Sequence, residues 1–250
     1  MKKILVSIMM GLSVISFSQD INVLLKEAQN FEKTLRDEPA LEKYKQVLAV
    51  SPTNVAALLK STELTIALGS RQKEKNSRRP FYEAAKVYAN RAYELNSNNA
   101  DVNYVMSIIS GKMTEIETDN KKVIEYVKDS RMYADKALSI NPRHAKATYA
   151  LGKWNFKIVQ LSWVKKMAVK AFFGGMADAT IEDAIKYMEK ARTLDQYYVV
   201  NYLDLAKAYK YDNKPSKAID VLEKMIKLPN RTSDDASFKA EGKKLLDELL

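Results

Sequence analysis

Residues Ala137–Tyr149 read ALSINPRHAKATY, and three other stretches are built the same way: Val47–Leu59 (VLAVSPTNVAALL), Ala92–Tyr104 (AYELNSNNADVNY) and Ala191–Leu203 (ARTLDQYYVVNYL). Each carries a small residue or valine three positions before an apolar one. A short polar turn follows, and then a new amphipathic run. This is the pattern of one helix stopping and another starting. Aligned on Val50, Leu95, Ile140, Leu194 and Leu228, the junctions recur at spacings of 45, 45, 54 and 34. Recurrence on this scale marks a helical-repeat protein, in which one helix pair cannot bury its own apolar face and a stack of pairs shares a continuous core.

The residues between the junctions agree. Apolar side chains return at i, i+3, i+4 and i+7 almost throughout, strand-like alternation is absent, and the 250-residue chain has only 7 Gly and 6 Pro. The expected fold class is all-α. Thirty-four residues is the period of the tetratricopeptide (TPR) helix–turn–helix unit. The chain resembles that superfamily in the small residues where paired helices cross: Ala28 and Ala40; Ala85, Ala89 and Ala92; Ala134 and Ala137; Gly152, Ala184 and Ala191; Ala206 and Ala218. The resemblance implies a right-handed TPR-like solenoid of about five helix pairs. The units are 21–54, 55–99, 100–144, 145–198 and 199–232, and an end helix over 233–250 caps the stack. Units two and three hold about eleven extra residues each, and unit four holds an insert at 161–178. The charged run SRQKEKNSRRP (Ser70–Pro80) is expected to be a linker and the most mobile loop of unit two.

Within that superfamily, the region from about Arg78 to Leu246 is similar to the regulator of microtubule dynamics family. The residues that carry the likeness are EAAKVYANRAYEL (83–95), LGKWNFKIVQLSW (151–163), AFFG (171–174) and TIEDAIKYMEKA (180–191). The resemblance implies long connections between paired helices in the middle units, an extension after the LSW segment, and a protein-binding scaffold. After AFFG that family has a proline pair where this chain has Gly175-Met176-Ala177.

The N-terminus reads as a secretory signal peptide over 1–18. Lys2 and Lys3 precede a largely apolar stretch from Ile4 to Phe17, and Ser16 and Ser18 stand at the −3 and −1 positions before Gln19. Fourteen residues are too few to span a bilayer, which takes ~20. The expected location is therefore outside the cytoplasm, periplasmic or secreted. Tubulin is not found there, so a microtubule-regulator-like adaptor ranks behind a general scaffold. With Cys 0, disulfides, thiolate nucleophiles and thiolate zinc sites are excluded.

Lys+Arg total 41 against 31 Asp+Glu. Most of the excess lies in residues 121–170, where twelve basic residues face three acidic ones. In TPR proteins the first helix of each pair lines the inner curve, with positions 2, 5, 9, 12 and 13 turned into it. In unit four these are Lys146, Tyr149, Lys153, Phe156 and Lys157, spaced to share one helical face. Unit five adds Val200, Leu203, Lys207, Lys210 and Tyr211. Units two and three add Ala56, Leu59, Glu63 and Ile66, then Asp101, Tyr104, Ile108 and Lys112. The candidate protein- or peptide-binding residues are Lys146, Tyr149, Lys153, Phe156, Lys157, Lys207, Lys210 and Tyr211. Ammonium groups interleaved with aromatic rings suit an acidic partner.

Catalytic chemistry is not expected. His144 is the one histidine and falls in a turn, where it reads as a solvated or helix-capping residue. No glycine-rich phosphate loop is present, so no cofactor and no metal are expected. Glu182-Asp183 and Asp234-Asp235 lie at helix starts, where the helix dipole accounts for them. Nucleic-acid binding is disfavoured by the export signal and the scarcity of arginine in the basic segment. The main alternative is a peripheral envelope protein that touches anionic lipid through 161–175, where Trp163, Phe172 and Phe173 are mixed with Lys165, Lys166 and Lys170.

Overall fold

The computed structural model describes residues 21–162, 167, 171 and 179–250. The proposed signal peptide and most of the 161–178 insert lie outside them. Among the described residues there are eleven helices and no strand. The helices are α1 (21–33), α2 (Asp37–Val50), α3 (Val55–Ser70), α4 (Lys75–Leu95), α5 (Ala100–Ile116), α6 (Asn120–Ile140), α7 (Ala145–Val159), α8 (Ile181–Leu194), α9 (Val199–Tyr211), α10 (Pro215–Ile226) and α11 (Asp235–Asp247). They form five antiparallel pairs plus an end helix, an all-α helical-repeat solenoid.

The junction residues cap the helices they introduce. Asn54, Asn99 and His144 are the last residues of units one to three. Each accepts a backbone N–H three residues on, from Ala57 (2.9 Å), Val102 (3.1 Å) and Ala147 (3.1 Å). Thr180 does the same for Asp183 at the start of α8 (3.0 Å). Each cap satisfies a donor that the first turn leaves free. The small residues sit where the periodicity places them: Ala28, Ala40, Ala85, Ala89, Ala92, Ala134, Ala137, Ala184, Ala191, Ala206 and Ala218 are all fully buried. Gly152 marks a close helix crossing. A Cβ there would lie 2.8 Å from Met188 Cγ and 3.1 Å from the Ala184 carbonyl oxygen, so α7 and α8 cross in contact. Three apolar clusters follow one another along the stack: the first two share Leu59, Phe81 and Tyr93, and the second and third meet within α7, at Ala147 and Tyr149.

Units two and three depart from expectation. Their extra residues lengthen helices instead of loops. α4 and α6 have 21 residues each, against 14 in α2 and 12 in α10, and only residues 71–74 separate α3 from α4. Most of the Ser70–Pro80 run is therefore the first turns of α4, and Pro80 lies inside the helix. The reason is where its charges go. Lys75 Nζ donates to the Glu117 carbonyl (3.1 Å), Arg79 to the Ile116 carbonyl, and Arg78 Nε to the Gln72 carbonyl (2.8 Å). Ile116 and Glu117 end α5, whose dipole is negative there, so cations are held where a mobile loop would leave them in water.

Candidate partner-binding cavity

α3, α5, α7 and α9 line the inner curve around a partly open cavity of about 480 Å³. Its walls include Glu63, Ile66, Tyr104, Ile108, Lys112, Tyr149, Lys153, Trp154, Lys157 and Tyr198. Asp234 and Phe238, at the start of α11, lie on the same wall as Ala67 and Ser70 from the end of α3. Among the eight candidate residues, Tyr149, Lys153 and Lys157 reach this cavity. Phe156, Lys207, Lys210 and Tyr211 do not. They border a separate, open depression of about 530 Å³ against α11. Lys146 stands beside the main cavity and is tied to Glu63 at 2.6 Å. The candidate residues thus divide between separate recesses where a single strip was expected.

The lysines are not bare. Lys153 Nζ lies 2.9 Å from Asp204 and donates to the Tyr149 hydroxyl at 3.0 Å, while that hydroxyl donates to Asp204 at 2.5 Å. Lys207 pairs with Glu241 (2.7 Å) and Lys210 with Glu248 (3.2 Å), both from the C-terminal end segment that holds α11. The aromatic residues pack. Tyr149 meets Tyr198 edge-on at 5.1 Å, Phe156 meets Tyr211 edge-on at 5.9 Å, and the Tyr211 hydroxyl donates to the Val159 carbonyl at 3.0 Å. Phe156 is buried and Tyr211 half exposed. Phe156 is therefore a core residue holding α7 to α9, with Tyr211 as its lid.

One place is charged unevenly. Lys112 (3.3 Å), Lys157 (3.5 Å) and Arg78 (3.7 Å) all surround the single carboxylate of Glu115. Burial would raise the Glu115 pKa, but Lys112 and Lys157 hold it below the usual value. Lys112 is lowered, chiefly by burial and further by Lys153 and Lys157, against the pull of Glu115. At the Asp204 site burial is overcome on both sides. Lys153 and the Tyr149 hydroxyl keep Asp204 below the carboxylate range, and Asp204 holds Lys153 above the lysine range. Burial drives the Tyr104, Tyr149 and Tyr198 hydroxyls well up, so they stay protonated donors.

Sequence reasoning named the lysines and missed their partners. Glu115, Asp204 and Tyr198 lie at unit positions 16, 6 and 34 or beyond, outside the five positions expected to face inward. Asp204 reaches Lys153 from the next unit, Glu115 meets Lys157 across units and Lys112 within one helix, and Tyr198 folds back on Tyr149 from the end of the same unit. His144 proves a cap, its second ring nitrogen 3.0 Å from Asp101. Among the described residues no group of three His, Cys, Asp or Glu side chains is placed to hold a metal ion, and no helix is long and apolar enough to cross a membrane.

A curved stack of antiparallel helix pairs with small residues at their crossings defines a TPR-like helical-repeat protein. The chain belongs to the regulator of microtubule dynamics family: the family described as "Regulator of microtubule dynamics protein 1-3" matches residues 24–250. Regulator of microtubule dynamics protein 3 of Bos taurus is 26% identical over 177 residues, which is 70% of this chain and 36% of that protein. Regulator of microtubule dynamics protein 1 of Mus musculus is 27% identical over 186 residues, 74% of this chain and 60% of that protein. The aligned part is thus between about a third and three fifths of these relatives. Among solved structures, a thermophilic TPR protein of Thermus thermophilus superposes with a TM-score of 0.63 at 15% identity, covering 90% of this chain and 98% of that one. Pseudomonas aeruginosa pilF follows at 0.54 and 12% identity, covering 94% and 93%. These likenesses are of fold.

Proposed function

We propose that this protein is a non-enzymatic scaffold that takes a protein or peptide partner on its inner face, with an acidic group of the partner seated beside Lys112 and Lys157. The observation that carries the reading is the cluster beside the cavity, where Lys112 and Lys157, both on its wall, share the one carboxylate of Glu115 with Arg78. A partner carboxylate there would meet charge that Glu115 alone leaves uncompensated, in surroundings less screened than open surface. The setting we infer is outside the cytoplasm, on the strength of the pattern over residues 1–18; N-terminal sequencing of the mature chain should begin at Gln19.

Lys157 is the residue to change, because its side chain is half exposed and makes one long ion pair. Lys157→Glu should keep the wild-type melting profile and lose the partners that wild type captures from its own host. Retention of every partner would exclude the cluster. Co-sedimentation with anionic vesicles tests the alternative. Salt-sensitive binding abolished by Trp163→Ala with Phe172→Ala would replace the peptide reading with a lipid-surface one.

A further inference from the structure

The two ends of the solenoid meet. Arg71, at the end of α3, donates through Nε to Asp234 Oδ1 at 2.6 Å and through Nη2 to Asp37 Oδ2. Ser233 Oγ contacts the Leu35 carbonyl (3.0 Å) and Asp37 Oδ1 (2.8 Å). Asp37 opens α2, Asp234 caps α11 and Arg71 follows the last turn of α3, so each charge stands at the helix end whose dipole favours it. The loop carrying Ser233 and Asp234 is itself braced. The buried Asp235 accepts from the Arg231 and Thr232 amides (2.7 and 2.9 Å) and from the Thr232 hydroxyl (2.7 Å).

This seam differs from every other unit boundary. Elsewhere apolar clusters run from one pair to the next. Among the described residues, the cluster containing Phe238, Leu245 and Leu246 includes nothing before Tyr149, and the clusters of the first units include nothing from α11. The closure is polar, and polar contacts at a partly exposed site are weak and screened by salt. It also borders the cavity. Asp234 is both a partner of Arg71 and part of the cavity wall, Phe238 lies one helical turn on, and Ser70 precedes Arg71.

We propose that Arg71, Asp37, Asp234 and Ser233 form a salt-sensitive latch that joins the first and last units and controls access to the 480 Å³ cavity. Closed, it holds α11 against the end of α3. Open, it lets the end units part while the apolar clusters keep each half of the stack intact. The latch works whatever the cavity receives, so it does not depend on the nature of the partner. Burial works against the charge on Arg71, but hydrogen bonds to Asp234 and Asp37 overcome it and hold its pKa above the usual value. The latch therefore responds to ionic strength and not to pH near neutrality.

The absence of native cysteine makes the test direct. Ser107 is buried, lines the cavity and bonds the Ser130 carbonyl, so Ser107→Cys is a near-isosteric reporter of cavity access. Ser61 is equally buried but away from the cavity, and Ser61→Cys reports general loosening. In the full chain, Arg71→Glu should raise the modification rate of Ser107→Cys by a neutral thiol reagent about tenfold, with Ser61→Cys unchanged, as local opening without global unfolding requires. Added sodium chloride should reproduce the rise in the unmutated background. The exchange Arg71→Asp with Asp234→Arg, which keeps one cation between two carboxylates, should reverse it. A Ser107→Cys rate unmoved by Arg71→Glu, a parallel rise at both reporters, or a charge exchange that fails to restore the slow rate would each overturn the latch.

Discussion

Leu35 and Asn213 each stand fifteenth in their units, counted from Ile21 and Val199, and both have positive φ, 57° and 53°. In both, the next residue's amide bonds a carbonyl five back, Arg36 to Phe31 (2.9 Å) and Lys214 to Tyr209 (2.9 Å), which is the Schellman closure of a helix. Asn tolerates that conformation. A leucine there costs roughly 1 kcal/mol. Leu35→Asn should therefore raise the free energy of urea unfolding by about 1 kcal/mol and Asn213→Leu lower it by about as much. A second prediction concerns Asp204, which Lys153 and Tyr149 hold below its usual pKa. A lowered carboxylate contributes fully above the unfolded value near pH 4 and loses that contribution as pH falls through the folded value. Asp204→Asn leaves the partly exposed Lys153 without its carboxylate, so it should lose roughly 1 kcal/mol at pH 7 once solvent screening is allowed for. The gap to wild type should narrow progressively below about pH 4, since protonated Asp204 is equally neutral. A gap constant from pH 7 to pH 3 would contradict the pairing. At this scale the lysines were legible, because spacing along one helix selects its face. Asp204 was not, because it belongs to the next unit.

Elements obey a different limit, set by what helices meet when they cross. Gly152 and Gly111 are both glycines inside helices, where alanine is the better helix former by about 1 kcal/mol. Their surroundings decide opposite outcomes. A Cβ at Gly152 meets Met188 Cγ at 2.8 Å and backbone atoms of α8 at 3.1 Å. At Gly111 it meets only the Ser130 hydroxyl, at 3.4 Å. Gly152→Ala should therefore lower stability by about 1–3 kcal/mol through forced separation of α7 and α8. Gly111→Ala should be neutral or stabilising by up to about 1 kcal/mol. Denaturant midpoints of the two variants measure the contrast. The small residues at crossings were readable because their period is local. The first turns of α4 were not. Lysine, arginine and proline between Ser70 and Pro80 look like a loop until the carbonyls of α5 come within reach of Lys75 and Arg79.

For the whole molecule, α11 matters more than its length suggests. Its Gly242 gives room to Met225, Leu246 is buried with Leu222 and Met225, and Glu241 and Glu248 reach back to Lys207 and Lys210 on α9. A stack of repeats needs such an end, since the last pair otherwise leaves one apolar side in water. Removing residues 231–250 should lower the melting temperature and produce strong binding of an environment-sensitive apolar dye. The same truncation deletes Asp234, so cavity access should rise as well. Unchanged melting with no dye binding would show that α9 and α10 need no cap.

The repeat count, the helix pairs and the crossing residues were all set by the amino-acid sequence, because each follows from periodicity within one unit. Tertiary structure alone decided how the units answer one another. It brought Arg78 and Lys157 from two other helices to Glu115, divided the expected groove residues between two recesses, and turned Asp234 from a helix-dipole residue into the partner of Arg71. The physical reason is distance along the chain. Arg71 and Asp234 are 163 residues apart, and their meeting depends on the accumulated curvature of every unit between them, which no local pattern encodes.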